Sequence, residues 1–110
     1  MIKIRTTPVT FGGPTSEGSP YWRFKTAIKT QYSGERFLGK GEVALAFTIY
    51  LQRSRVGPDR NDLDNFLKPV IDALCEEGYF GEEQIGEISI SRSIVDSAAD
   101  EGLAIEISRR

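Results

Sequence analysis

Apolar and polar residues alternate along several stretches of the chain, and this period of two is typical of half-buried β-strands. The stretches are residues 2–6 (IKIRT), residues 42–52 (EVALAFTIYLQ), a segment that carries Ile88, Ile90 and Ile94, and a segment that carries Leu103, Ile105 and Ile107. Polar residues 96–102 (DSAADEG) separate the last two stretches. This spacing predicts that the last two strands form a hairpin.

Two other stretches carry helix signals. Ser19 and Pro20 are typical of an N-cap and a first helical position, and Ser33-Gly34 would end that helix near Tyr32. The second helix is the clearer one, because apolar residues recur at spacings of three and four and Gly78 follows as a C-cap candidate. Its apolar stripe consists of Leu63, Phe66, Leu67, Val70, Ile71 and Leu74.

The order strand, helix, strand, helix, strand, strand predicts the fold class. In a chain of 110 residues it indicates one domain that covers residues 1–110. We expect an α+β two-layer sandwich, in which one mixed sheet carries two helices on a face.

The missing residue types narrow the possible chemistry. The chain has no histidine and one cysteine, Cys75, which excludes a disulfide within the chain, a zinc site of the usual kind and a Cys–His dyad. An enzyme of this composition depends on carboxylates, Lys, Arg, Ser, Tyr or a hard metal ion. The single cysteine fits a reducing cytoplasm, and without a signal peptide or a long apolar run we expect no membrane association.

Charge is distributed unevenly along the chain. Residues 1–60 carry ten Lys/Arg and four Asp/Glu, a net charge of +6, whereas residues 61–110 carry four and twelve, a net charge of -8. This asymmetry fits a polyanionic partner and a separate acidic site. The alternative is that the two halves attract each other in the fold, and charge alone does not choose between these explanations.

Acidic residues surround the start of the second helix. Asp64, Lys68 and Asp72 share one face because they are four residues apart, and Asp62 joins them if the helix begins near it. These carboxylates could be a helix cap and a surface ion pair. They could instead hold Mg²⁺, which prefers a few carboxylates together with waters and phosphate oxygens. Glu82 and Glu83 would complete such a site if the fold returns them to the helix start.

Other motifs fit these residues poorly. A calcium-binding EF-hand loop that begins at Asp62 would need an oxygen ligand and a glycine where Phe66 and Leu67 stand. The GxxxxGK[ST] phosphate-binding loop is also missing.

The stretch DRNDLDNFLKPVIDAL, residues 59–74, resembles the RusA family of Holliday junction resolvases, small dimeric endonucleases of bacteria and their phages. The family pattern runs Arg-x-Asp-Leu-Asp-Asn-x-x-Lys-x-x-x-Asp-Ala-Leu, followed by a Gly-aromatic turn and then Asp-Asp-x-Gln-Val. The matching residues here are Arg60, Asp62, Leu63, Asp64, Asn65, Lys68, Asp72, Ala73, Leu74, Gly78, Tyr79 and Gln84, with Ile85 in place of the valine. The motif covers about 26 residues.

The resemblance implies a RusA-like fold and a metal-dependent endonuclease that nicks four-way DNA junctions in pairs during recombination and repair. Asp62 and Asp64 correspond to the metal-binding aspartates and Lys68 to the lysine needed for cleavage. The third carboxylate falls on Glu82 or Glu83, in a segment one residue shorter than the pattern and with Glu in place of Asp. We favour Glu82, counting back from Gln84. The expected cofactor is Mg²⁺, with Mn²⁺ as a substitute.

The same resemblance implies a homodimer, whose two-fold symmetry matches the junction. Asp72 is either a peripheral acid of the site or a partner for Lys68, and we favour the partner role. DNA affinity should come from phosphate contacts, for which the candidates are Arg53, Arg55, Arg60, Lys29 and Arg92. The alternatives are a RusA-like protein that binds branched DNA with weak or no cleavage, and an interaction domain without a nucleic-acid partner.

Overall fold

The predicted elements all form, with small changes of their bounds. The protein is represented by a computed structural model that describes residues 1–57 and 61–110. In chain order the helices and strands are β1 (Ile2–Arg5), α1 (Pro20–Gln31), β2 (Val43–Gln52), α2 (Leu67–Glu76), β3 (Ile85–Val95) and β4 (Gly102–Arg109). Short 3-10 turns lie at Arg53–Arg55, Leu63–Phe66, Glu82–Gln84 and Ala98–Asp100.

Within the described residues, the sheet has four strands in the order β1–β4–β2–β3. It is mixed, since β2 and β3 are parallel whereas β4 is antiparallel to both β1 and β2. Parallel neighbours need a crossover connection, and α2 supplies it between β2 and β3. The predicted α+β domain with one mixed sheet and two helices is therefore confirmed.

The predicted hairpin between the last two strands is wrong, because β2 lies between β3 and β4. Strand β2 buries every second side chain almost completely, so a central position with hydrogen bonds on both edges suits it. Strand β3 is exposed along most of its length, which suits an edge. Residues 96–101 consequently pass over the end of β2, where Glu101 Oε2 accepts a hydrogen bond from the backbone N–H of Gln52 (2.9 Å).

One apolar cluster joins the sheet and both helices. Phe24 and Ile28 of α1 and Val70 and Leu74 of α2 belong to the same buried cluster as the odd-numbered residues of β2. Both helices therefore cover the same face of the sheet. Helix α1 begins as predicted, since the Ser19 side chain accepts a hydrogen bond from the Trp22 N–H (3.1 Å) and Pro20 takes the first helical position.

The second helix begins with the 3-10 turn Leu63–Phe66 and becomes α-helical from Leu67. Pro69 lies in the first α-helical turn, where a missing N–H is tolerated. Gly78, with φ of 77°, adopts the left-handed conformation expected after the helix. No helix in residues 1–57 and 61–110 is long and apolar enough to cross a bilayer.

Candidate active site

Asp62 and Asp64 are both exposed at the start of the second helix. Asp62 has extended backbone angles (φ -62°, ψ 141°) and precedes the turn, but its side chain makes no capping hydrogen bond. The backbone oxygen of Asp62 instead accepts the N–H of Asn65 (3.0 Å). The simplest alternative for Asp62, a side-chain helix cap, is therefore not what this structure contains.

Lys68 forms an ion pair with Asp72, with 3.0 Å between Nζ and Oδ2, rather than with Asp64 one turn earlier. The hydrogen bond and the charge of Asp72 raise the pKa of Lys68, and the charges of Tyr21 and Glu82 act in the same direction. Asp72 is thus a partner of Lys68, the role we favoured for it. The ammonium group stays charged while most of the Lys68 side chain remains in solvent.

A loop from the N-terminal part of the chain lies against this lysine. Pro69 has no N–H to offer the backbone oxygen of Asn65, and that oxygen accepts the N–H of Phe11 instead (3.0 Å). The Phe11 ring is half exposed, its centroid lies 5.4 Å from Lys68 Nζ, and it meets the Tyr21 ring edge-to-face. Sequence reasoning missed Phe11, for which the signal is an aromatic residue directly before Gly12-Gly13.

Buried Gln84 shapes the turn that carries the two glutamates. Its Nε2 donates to the backbone oxygens of Phe37 and Gly41 (2.8 and 2.7 Å), and its Oε1 accepts the N–H groups of Gly81 and Gly39 (2.8 and 3.2 Å). Both the nitrogen and the oxygen of the Gln84 amide make two hydrogen bonds, so this buried side chain fixes the Glu82–Gln84 turn. The glutamine of the RusA pattern therefore has a structural function in this chain.

The two glutamates of that turn differ in surroundings. The Glu83 carboxylate folds back over Gly81, close enough that any side chain at position 81 would collide with it. The charge of Glu82 contributes to the raised pKa of Lys68. The third carboxylate of the motif therefore stays a prediction, on Glu82 or on Glu83.

The carboxylates do not form one compact group. Within residues 1–57 and 61–110, no three Asp, Glu, His or Cys side chains are arranged so that they could hold a metal ion. The pKa of the Cys75 thiol is raised to about 11. Burial is the largest cause, and the charges of Glu82, Asp72, Glu83 and Glu76 add to it. The donors are those that Mg²⁺ prefers, but within the described residues three of them do not come together.

The predicted DNA-contacting cations fall into separate groups. Arg53 and Arg92 are exposed, and within the described part of the chain neither forms an ion pair. Arg92 is paired with Ile49 across β2 and β3, which places it on the helix-covered face, and the Leu63–Phe66 turn also packs against β3. These two residues remain candidates for phosphate contacts. Arg60 lies outside the described residues.

Lys29 and Arg55 are already engaged within the protein. Glu76 binds Lys25 and Lys29 at 2.6 and 2.5 Å, and although burial raises its pKa, these hydrogen bonds and charges outweigh burial and lower it. Arg55 forms an ion pair with buried Glu101. Lys29 and Arg55 stay predicted phosphate contacts, and of their two ion-pair partners Glu101 is buried whereas Glu76 is exposed.

Comparisons with known proteins provide no family for this chain. No protein-family model matches it, and no curated protein does. The likeness to the RusA family accordingly remains a prediction from the motif in residues 60–85.

Proposed function

We propose that the protein is a metal-dependent endonuclease of the RusA type, which cuts branched DNA such as a four-way junction. The observation that carries the proposal is the arrangement around Lys68. Asp72 binds this motif lysine, and the exposed Asp62 and Asp64 lie at the start of the same helix. A protonated lysine beside exposed carboxylates suits phosphodiester hydrolysis better than a purely structural function.

In this proposal Asp62, Asp64 and Glu82 bind Mg²⁺ or Mn²⁺, with Glu83 as the less favoured ligand. Bound there, the ion supplies an activated water and polarises the phosphate. Lys68 donates hydrogen bonds to the phosphate oxygens as negative charge builds up on them. Asp72 orients the Lys68 ammonium group through their hydrogen bond. Hydrolysis forms a bond from the water oxygen to phosphorus and breaks one bond from phosphorus to a sugar oxygen.

The lack of a three-carboxylate group in the part of the chain that the structure describes is compatible with this proposal. Mg²⁺ retains several waters and is often bound by one or two carboxylates together with phosphate oxygens of the substrate. DNA would then supply part of the coordination. We further propose a homodimer in a reducing cytoplasm, because a two-fold axis would set two such sites against the two symmetric strands of a junction.

A second candidate function is binding of branched DNA without efficient cleavage. The lack of a three-ligand group within residues 1–57 and 61–110 favours it, since a site that does not assemble on DNA would leave only the basic residues active. Arg53 and Arg92 would then supply the affinity through phosphate contacts. This function needs no metal ion.

The deciding experiment uses a synthetic four-way junction with labelled strands, incubated with the wild-type protein in Mg²⁺ or Mn²⁺. Asp64→Asn removes one proposed ligand charge and keeps the size of the side chain. Glu106→Gln is the matched control, because Glu106 is an exposed acid on β4 that is not part of the proposed site. We expect paired nicks with the wild type and with Glu106→Gln but none with Asp64→Asn.

Binding without cutting by the wild type would favour the second candidate. Failure to bind the junction would exclude both candidates and leave an interaction domain. Equal cutting by wild type and Asp64→Asn would exclude the proposed site.

A further inference from the structure

Glu101 is a buried carboxylate that the proposed reaction does not use. Its side chain is only 3% exposed. Oε1 accepts a hydrogen bond from Arg55 Nη1, and Oε2 accepts one from the backbone N–H of Gln52, each 2.9 Å long. Burial of a carboxylate is costly unless it is paired and hydrogen-bonded, so a specific contact explains why an acid is accommodated here.

Arg55 extends this contact to two other segments. Its Nη2 donates to the backbone oxygen of Pro8, and its own backbone oxygen accepts a hydrogen bond from Asn61 Nδ2, both at 2.5 Å. Asn61 directly precedes Asp62 and has a φ of 51°, in the left-handed region that asparagine tolerates better than most residues. Glu101, Arg55 and Asn61 therefore form a chain of contacts that ends at the first acidic residue of the site.

The planar fork of an arginine is needed for this arrangement. One guanidinium nitrogen binds Glu101 and another binds Pro8, a double contact that the single ammonium of lysine cannot reproduce. The same N-terminal loop meets the acidic turn a second time, through the hydrogen bond from Phe11 to Asn65. The Leu63–Phe66 turn is thus held from two directions by groups that lie outside it.

We propose that Glu101 is a positioning residue, which through Arg55 and Asn61 determines where Asp62 and Asp64 stand at the start of the second helix. The anchoring itself needs only the contacts described here. Its consequence for cleavage depends on the proposed function. Glu101 touches neither the substrate nor a metal ion in this arrangement.

The anchoring is tested first without DNA, by amide hydrogen exchange of the wild type and two variants. Glu101→Gln removes the charge from the buried partner, and Arg55→Lys keeps the charge but loses the fork. We expect exchange of the Asn65 amide, and of residues 61–66 in general, to become about tenfold to a hundredfold faster in both variants, because a buried group left without its partner promotes opening.

Ile105→Val is the control, because it weakens the core on β4 without touching the bridge. It should change exchange over residues 61–66 no more than over the rest of the sheet. Exchange over residues 61–66 that stays at the wild-type rate in Arg55→Lys and Glu101→Gln would overturn the inference. Arg55→Lys decides the question alone if Glu101→Gln does not fold.

The second readout separates positioning from general stability. In single-turnover cleavage, Glu101→Gln should lower the rate constant about a hundredfold, as displacement of catalytic groups by about 1 Å can do, while the Kd for the junction stays near the wild-type value. Loss of folded protein would reduce the amplitude instead of the rate constant. An unchanged rate constant, with an active wild type, would overturn the inference. If the wild type does not cut, the proposed function fails and hydrogen exchange alone decides whether Glu101 anchors the turn.

Discussion

The ion pairs Arg55–Glu101 and Lys68–Asp72 have nearly the same N–O distance, 2.9 and 3.0 Å, but lie in very different surroundings. The Glu101 side chain is 3% exposed, whereas Lys68 is 53% exposed. A buried pair must stay complete, because removal of one partner leaves an uncompensated charge. An exposed pair contributes little to stability and can exchange its partner for another anion. Pairs of similar length can therefore differ in function. The buried Arg55–Glu101 pair is structural, whereas in the proposed function the exposed Lys68 is available to a phosphate.

The largest expected effect comes from breaking the buried pair. Arg55→Met should lower the free energy of unfolding by about 3 kcal/mol, because Glu101 is left charged and unpaired. The double variant Arg55→Met, Glu101→Met should cost less than Arg55→Met alone, since it buries no charge. Urea unfolding monitored by circular dichroism measures both. A double variant that costs the sum of the two single changes would show that the two residues do not act as a pair.

The next effect comes from the exposed pair and concerns activity rather than stability. Lys68→Met should reduce junction cleavage about a hundredfold to a thousandfold, since a charge near the reacting phosphate is lost. The urea midpoint should not change measurably. Lys40→Met, on an exposed lysine outside the site, serves as the control. Wild-type cleavage rates in Lys68→Met would remove this lysine from the proposed mechanism.

A smaller effect distinguishes a cation that has a carboxylate partner in the protein from cations that form no ion pair within the described residues. Arg53→Gln and Arg92→Gln should each reduce the slope of log K against log salt by about 1 for junction binding, because each removes one phosphate contact. Lys29→Gln should reduce the slope by less than Arg53→Gln or Arg92→Gln does, since Lys29 must leave Glu76 before it can contact a phosphate. Fluorescence anisotropy over a salt series gives the slopes. A slope that responds to Lys29 but not to Arg53 or Arg92 would reverse this assignment.

The smallest effect reports on the acidic surroundings of α2. Burial and the neighbouring carboxylates raise the pKa of the Cys75 thiol to about 11. Only the thiolate is reactive, so alkylation should be slow at pH 8 and should reach half its maximal rate near pH 11. Glu82→Gln removes one negative charge and should move this midpoint to lower pH. The rate of iodoacetamide labelling between pH 7 and about pH 11.5 gives the midpoint. A midpoint near the ordinary thiol pKa would mean that neither burial nor these carboxylates act on Cys75, and an unchanged midpoint in Glu82→Gln would exclude the effect of Glu82 alone.

The two parallel strands illustrate what periodicity could and could not predict. Both β2 and β3 alternate along the chain and both form as predicted, because alternation is a local property of a half-buried strand. Their positions in the sheet are not local. The alternating isoleucines of β3 are equally compatible with a hairpin between β3 and β4. In the fold, β2 lies between these two strands instead.

The contacts around the candidate site also divide into local ones, which the sequence predicts, and contacts between distant segments, which it does not. Spacing along one helix placed Lys68 and Asp72 together, and the structure confirms their contact, because residues four apart on a helix are neighbours. The bridge from Glu101 to Arg55 joins residues 46 positions apart, and no local pattern indicates it. Phe11 approaches Lys68 for a similarly indirect reason, since Pro69 leaves the oxygen of Asn65 without its helical donor.

Local patterns in the sequence predicted which segments form strands and helices. The residue types of the chain excluded histidine chemistry and a disulfide within the chain. The sequence further determined which acids line the second helix. Periodicity, caps and residue types act over a few positions, so they can be read without knowing the rest of the fold. The tertiary structure alone placed β2 at the centre of the sheet, paired Arg55 with buried Glu101 and left Arg53 and Arg92 exposed. These outcomes depend on which distant segments share a buried space, where the cost of an unpaired charge selects the partners.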